Sequence, residues 1–247
     1  MSLSTTVRVN AARGSFVTTH WSVVLTAGHS NTTEARDALA ALCKVYWYPL
    51  YAYVRQRGHS PHDAQDLTQE FFAQLLAKNR LAEIRREGGK FRSFLLTAMN
   101  HFLVDEWRKL QTAKRGAGRI ISVNALEAET RFGQEPADTL TPERLFDQNW
   151  ALALLDTVYR KLEAEHEADG KGQLFSALKF CLTGERSELP YDRLAEQLLM
   201  PTNTVKTLVR RLRERYRVIL HQEIAQSVAR PEEVEEELQF LFRALAG

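Results

Sequence analysis

Four basic side chains, Lys206, Arg210, Arg213 and Arg217, recur at helical spacing near the C-terminus. At about 100° per residue, these positions fall within one stripe about 60° wide on an α-helix. An apolar stripe about 100° wide lies directly beside it and predicts the buried face of the same helix. The apolar stripe consists of Val205, Leu208, Val209, Leu212, Tyr216 and Ile219. Folding requires the apolar stripe alone, so the adjacent row of cations indicates a polyanionic partner.

A short helix and a turn precede this basic helix. Tyr191–Leu198 has helical periodicity, and Met200-Pro201 ends it because a residue before proline avoids the helical conformation. Thr202 or Asn203 is expected to cap the second helix. This order of elements is used by proteins that read the major groove, which favours DNA contact over the alternative of a solvated basic face. The positions predicted to touch DNA are Thr202, Asn203, Thr204, Lys206, Thr207, Arg210, Arg211 and Arg213. The cations suit phosphates, and the early positions can reach base edges.

The sequence contains no motif typical of an enzyme. It has neither a glycine loop ending in Gly-Lys-Ser/Thr nor a nucleophile-elbow serine. His59 and His62 lie close together, but in a predicted turn and helix cap without further metal ligands at useful spacing. Asp105 and Glu106 are adjacent, so their carboxylates would point about 100° apart on a helix and could not act on one substrate. We therefore predict no catalysis, no cofactor and no bound metal.

Composition indicates a helical globular protein. Gly and Pro are sparse, with 12 and 7 residues in 247, and long stretches lack both. Cys43 and Cys181 lie far apart in apolar surroundings, as is typical of buried thiols in a reducing compartment. The sequence has no signal-peptide pattern and no apolar run long enough to span a membrane, so we expect a cytoplasmic protein without a membrane partner.

Periodicity and its interruptions predict an all-α fold of two helical modules joined by a long linker, with the helix-turn-helix in the second module. The segment 111–144 lacks sustained periodicity and exceeds the usual length of a loop within a compact domain. The predicted boundaries are a flexible arm over 1–20, a helical domain over 21–110, the linker over 111–144, a second domain over 145–225 and an acidic helix over 226–247.

The first module contains two helices with distinct surfaces. A helix from Pro61 to Lys78, capped by Ser60, presents an acidic surface. Gly88-Gly89 then breaks the pattern, and a helix over Phe91–Lys109 follows. That helix is rich in aromatic residues, and core packing is the preferred interpretation of Phe94, Phe102 and Trp107.

The chain ends in a predicted amphipathic helix over 231–247. Its expected inward-facing residues are Val234, Leu238, Leu241, Phe242 and Leu245. The glutamates within 232–237 are interpreted as a solvated face near a helix start. Masking of the basic helix is the alternative role for these glutamates.

Three segments together resemble a known family. Asp63 to Phe72 resembles the region 2 helix of the extracytoplasmic-function (ECF) subfamily of sigma-70-type RNA polymerase sigma factors. Phe91–Leu96 and Val104–Arg108 resemble the helix that follows it in the family. Tyr191 to Tyr216, with Thr204-Val205-Lys206-Thr207, is similar to the region 4 helix-turn-helix. The family usually has glycine where this chain has Leu199, and a left-handed turn there would cost a leucine roughly 1 kcal/mol.

The resemblance implies a factor that directs core RNA polymerase to promoters and takes part in DNA melting. Asp66, Gln69 and Glu70 would contact the clamp of the polymerase β′ subunit. The second module would bind the −35 element, and a further partner, an anti-sigma factor, is left open. Contacts to the −10 element are expected from Lys90, Arg92, Ser93, Asn100 and His101. The alternative function is a helix-turn-helix repressor or activator that acts without being a polymerase subunit.

Overall fold

A computed structural model describes residues 33–77, 90–112, 124–133, 140–183 and 190–246, and every regular element in these ranges is helical. The first helices are α1 (Thr33–Gln56), α2 (Pro61–Ala77), α3 (Phe91–Thr112) and α4 (Asn124–Phe132). They are followed by α5 (Pro142–Ala168), α6 (Gly172–Leu178) and a 3₁₀ turn (Lys179–Leu182). The last are α7 (Tyr191–Leu198), α8 (Thr202–Gln226) and α9 (Glu233–Ala246). The all-α prediction is confirmed for these ranges.

Helices α1, α2 and α3 pack around a core of aromatic side chains. Tyr46 meets Phe91 edge to face with ring centroids 5.0 Å apart, and Phe71 meets Phe102 at 5.7 Å. Such pairs are favourable by about 1 kcal/mol beyond the burial of their area. Pro49 lies inside α1, and the helix continues through it. Burial of the residues after it holds this part of α1 in place.

Helix α5 is the central element, because it contacts α1, α8 and α9 along its 27 residues. Thr141 caps its first turn by accepting a hydrogen bond from the Arg144 amide, and Pro142 occupies the first helical position. Trp150, on the side of α5 that faces the core, is 1% exposed. The buried residues of both predicted modules thereby join one continuous apolar core.

The segment predicted as a linker contains helical structure that the sequence did not predict. Within 111–144, the structure has helix α4 and the first residues of α5. Helix α4 is held by Glu129, whose carboxylate accepts hydrogen bonds from Arg55 at 2.8 Å and from Tyr51 at 2.6 Å. A nine-residue helix is too short for periodicity to identify it, and its tertiary partners stabilise it instead. The residues 113–123 and 134–139 lie outside the described ranges. In the part of the chain that is described, no helix is long and apolar enough to cross a membrane.

The C-terminal helix α9 turns back onto α5 and α8. The Ser227 carbonyl, at the end of α8, accepts a hydrogen bond from the Phe91 amide at the start of α3, with N and O 2.9 Å apart. Helix α9 buries Val234 and Leu241, as predicted, but Phe242 is 57% exposed. Phe240 packs inward instead, because the guanidinium of Arg92 on α3 lies over its ring.

Candidate nucleic-acid interface

The turn between α7 and α8 is tight and left-handed. Leu199 has φ 51° and ψ 43°, the conformation expected where the related family has glycine. The amides of Leu199 and Met200 donate to the carbonyls of Glu196 and Ala195, which closes the C-terminus of α7. Helix α8 begins after Pro201, and no side chain caps it, so the predicted capping by Thr202 or Asn203 is wrong.

The apolar stripe of α8 lies against the core as the sequence predicted. Val205, Val209, Leu212 and Ile219 are buried, while Leu208 and Tyr216 are partly buried and pack against the same core. This burial fixes the rotation of α8 about its axis. The opposite face must therefore present the polar side chains to solvent.

The exposed face of α8 presents most of the predicted DNA-contacting residues. Asn203, Thr204, Lys206, Arg210, Arg211 and Arg217 are exposed. The Lys206 ammonium lies 5.7 Å from the ring centroid of Tyr191, which joins the two helices of the motif. The ion pairs formed by described residues involve none of Lys206, Arg210, Arg211 and Arg217. An exposed row of cations without carboxylate partners gives this face a positive potential.

Three of the predicted contact residues are engaged within the protein. Arg213 donates from Nε to the Cys181 carbonyl at 2.7 Å and so ties α8 to the preceding 3₁₀ turn. Thr202 donates to the Asp192 carboxylate at 3.0 Å. Thr207 donates to the Asn203 carbonyl at 2.9 Å. These bonds position the motif and occupy groups that the sequence assigned to DNA.

The cations at the start of α3 do not face solvent in this arrangement. Arg92 is 8% exposed, and its guanidinium pairs with Asp147 at 2.7 Å and Glu237 at 3.1 Å. Lys90 pairs with Glu236 at 3.0 Å and with Glu237 at 3.2 Å. The expectation that Lys90 and Arg92 are presented to DNA is therefore corrected for this arrangement, because carboxylates of α5 and α9 surround them.

Glu237 was not among the functional residues predicted from the sequence, although a signal for it exists. Glu237 follows Val234 by three residues and precedes Leu241 by four, so it occupies the inward face of α9. A carboxylate at such a position requires a buried cation. The interpretation of the glutamates in 232–237 as a solvated face is wrong for Glu237, which is fully buried, and for Glu233, which is 9% exposed.

The remaining predicted positions on α3 differ in accessibility. Ser93 and His101 are exposed, and Asn100 accepts a hydrogen bond from the Tyr53 hydroxyl at 2.6 Å. Phe102 is buried, as predicted. Trp107 was expected in the core and is instead 59% exposed.

The acidic surface of α2 is formed as expected. Ser60 and Asp63 cap the helix, since the Asp63 amide donates to Ser60 Oγ at 3.2 Å. Gln69 is exposed, and Asp66 and Glu70 are partly exposed. Asp66 lies 3.5 Å from His62 Nδ1 one turn earlier. The three side chains thus lie on a surface that a partner can reach.

Comparisons with known proteins agree with this architecture. Residues 47–113, which run from within α1 to just beyond α3, match the family model for sigma-70 region 2. The chain is also 27% identical to the ECF RNA polymerase sigma factor SigW of Bacillus subtilis (strain 168), over 74% of this chain and 88% of that protein. These two matches make the chain similar to ECF sigma factors of the sigma-70 family. No solved structure matches it. Sigma factors are not a class of enzyme, and their family partners are core RNA polymerase and promoter DNA.

Proposed function

We propose that this chain is a sigma factor that binds core RNA polymerase through α2, the −10 element through α3 and the −35 element through α8. The observation that supports the proposal best is the exposed row on α8, which follows a closed turn and lies beside a buried apolar stripe. An α-helix fits the major groove of B-DNA, and a row of cations along one face can follow the phosphates at its edge. The acidic helix α2 distinguishes this function from that of a plain repressor, which has no use for it.

The proposed −35 contacts are of two chemical kinds, to base edges and to phosphates. Asn203 and Lys206 lie in the first turns of α8, where a recognition helix reaches base edges. Arg210 and Arg211, further along, contact the phosphates on either side of the groove. Arg213 and Thr202 support the motif from within through the bonds to the 3₁₀ turn and to α7.

The −10 contacts use the exposed part of α3. Ser93 and His101 supply hydrogen bonds to the DNA backbone and bases. Trp107 offers an aromatic face on which an unpaired base can stack, an interaction worth about 1–3 kcal/mol per base. Strand separation is favoured when the unpaired bases gain such contacts.

Transcription with purified full-length protein and core RNA polymerase tests the proposal. We expect promoter-specific transcripts from a fragmented genomic template. Lys206→Ala combined with Arg210→Ala should abolish most of them and reduce the salt slope of DNA binding by about 1 for each phosphate that is no longer neutralised. Arg215→Ala is the matched control, because Arg215 lies on the same helix but pairs with Glu165. A double variant indistinguishable from this control would contradict the placement of the −35 interface.

Polymerase binding is tested separately through α2. Asp66→Ala should weaken the association of the full-length chain with core polymerase and leave its binding to duplex DNA unchanged. Fluorescence anisotropy with labelled polymerase and with labelled DNA measures the two equilibria. If the chain binds DNA but never core polymerase, a helix-turn-helix regulator acting alone becomes the better description.

A further inference from the structure

The C-terminal helix α9 places a carboxylate inside the protein, against the cations at the start of α3. Glu237 is fully buried, with Oε1 3.1 Å from Arg92 Nε and Oε2 3.2 Å from Lys90 Nζ. Glu236, one residue earlier, reaches the same lysine from the surface at 3.0 Å. Two consecutive side chains of α9 thus engage both cations.

Aromatic side chains complete the enclosure of Arg92. Its guanidinium carbon lies 3.7 Å from the ring centroid of Phe240 on α9 and 5.2 Å from that of Trp150 on α5. Asp147 of α5 supplies a second carboxylate at 2.7 Å. Burial raises the pKa of Asp147, and the neighbouring Arg92 opposes that rise. The guanidinium is therefore held by groups from α5 and α9 together.

A buried ion pair of this kind is a poor source of stability, because the desolvation of both charges offsets most of their attraction. An apolar residue at position 237 would continue the face formed by Val234 and Leu241 without that cost. Glutamate at this position instead makes the docking of α9 depend on the cations of α3. Such dependence is expected if another anion later takes the place of the glutamates on these cations.

The described arrangement is also too short to span a promoter. The Phe91 amide is bonded to the Ser227 carbonyl, and Asn203 lies 24 residues before Ser227, or about 36 Å along α8. His101 lies only about 15 Å further along α3, even if that helix points directly away. Elements centred at −10 and −35 are about 25 base pairs apart, or about 85 Å of B-DNA. The two DNA-binding surfaces cannot reach both elements until they separate.

We propose that α9 is an autoinhibitory clasp, in which Glu236 and Glu237 occupy Lys90 and Arg92 and hold the protein in a compact form that cannot engage a whole promoter. This inference rests on the proposed function, and it adds Lys90 and Arg92, which the sequence assigned to the −10 element, as contacts for the DNA backbone once α9 is released. Promoter phosphates and the two glutamates compete for the same cations. Release of α9 exposes Lys90 and Arg92 and detaches the start of α3 from the end of α8.

Hydrogen exchange of the full-length free protein provides the first test. Glu237→Gln keeps the shape of the side chain and removes its charge, and Glu235→Gln is the matched control on the exposed side of α9. We expect Glu237→Gln to accelerate exchange in α9 and in the first turns of α3 together by about tenfold or more, because removing one partner of a buried pair is strongly destabilising. Exchange equal to that of Glu235→Gln would overturn the clasp, and this test requires neither polymerase nor DNA.

Transcription provides the second test. At limiting factor concentration, the apparent promoter affinity of Glu237→Gln should rise by the same factor as its open fraction, since only the open form is competent. Glu236→Gln lies at the surface and leaves the core intact, so it should give a smaller increase in the same direction even if Glu237→Gln folds poorly. Unchanged or reduced activity of Glu236→Gln relative to Glu235→Gln would overturn the inhibition.

The wild-type protein provides the third test, because α9 must leave in the promoter complex. Exchange in α9 should rise when core polymerase and promoter DNA are added. Protection equal to that of the free chain would overturn the proposal. A third outcome separates the two proposals. If no template supports any transcript while Glu237→Gln still accelerates hydrogen exchange in the free protein, the proposed function is wrong, but the contact that holds α9 against Lys90 and Arg92 is still supported.

Discussion

Replacement of Leu199 by glycine should stabilise this protein, although it removes a large apolar side chain. Leu199 adopts φ 51° and ψ 43°, which costs an L-amino acid about 1–2 kcal/mol relative to the right-handed conformation. The side chain is 93% exposed, so its removal sacrifices almost no burial. Glycine adopts this conformation without the steric cost. Its greater conformational freedom in the unfolded chain, however, lowers the free energy of unfolding by about 0.4–1 kcal/mol.

The balance predicts that Leu199→Gly raises the free energy of unfolding by about 0.5–1 kcal/mol. Equilibrium unfolding in urea, followed by circular dichroism, measures this difference. Leu199→Ala is the control, since alanine retains the Cβ atom and therefore the strain. A glycine variant no more stable than the alanine variant would refute the argument that Cβ strain limits this turn. Binding to duplex DNA should be retained, because the hydrogen bonds that close the turn use only the backbone.

Two further predictions concern single side chains. Arg213→Ala should lower the free energy of unfolding by about 1–2 kcal/mol, because the Cys181 carbonyl loses a charged donor, while the salt slope of DNA binding should change less than in Arg210→Ala. Urea unfolding and salt-dependent DNA titrations of both variants check this, and the reverse order would assign Arg213 to DNA. Glu129→Gln should lower the free energy of unfolding by about 1 kcal/mol at pH 7 and have progressively less effect as the pH falls through the acidic range. The hydrogen bond from Arg55 lowers the pKa of Glu129, so the stabilisation is present above the unfolded-state pKa and is lost as the pH falls through the folded-state value. Thermal unfolding of wild type and variant across that pH range measures the difference, and a pH-independent difference would contradict it.

The described helices agree well with expectations from periodicity and local signals. The helix from Pro61 is described to Ala77, in agreement with its prediction, and α7 has its predicted bounds of Tyr191–Leu198. Ser60, Pro61 and Met200-Pro201 act through contacts within a few residues of the chain. Such signals need no information about the rest of the fold. The left-handed turn at Leu199 was not predicted, because its cost for leucine favoured a different turn, whereas the structure keeps the left-handed conformation.

The sequence also determined which face of α8 is basic and which is buried, because an apolar stripe can be read from residue order alone. It could not determine which cations on that face are available. Arg210 and Arg213 have the same charge and neighbouring places in the row, yet one is exposed and the other donates to a carbonyl 32 residues earlier. Only the packing of the 3₁₀ turn against α8 separates their roles.

The largest difference between prediction and structure lies at Arg92. Its charge and its place at the start of α3 were evident from the sequence, but its partner Glu237 lies 145 residues away. The pairing depends on α9 folding back across α5, and contacts at that separation leave no periodic trace in the sequence. The sequence by itself thus determined the helices and their amphipathic faces, which follow from local order. The tertiary structure decided which charges meet, because the electrostatic free energy of a charge depends on its burial and on the partners that the fold brings within a few ångströms.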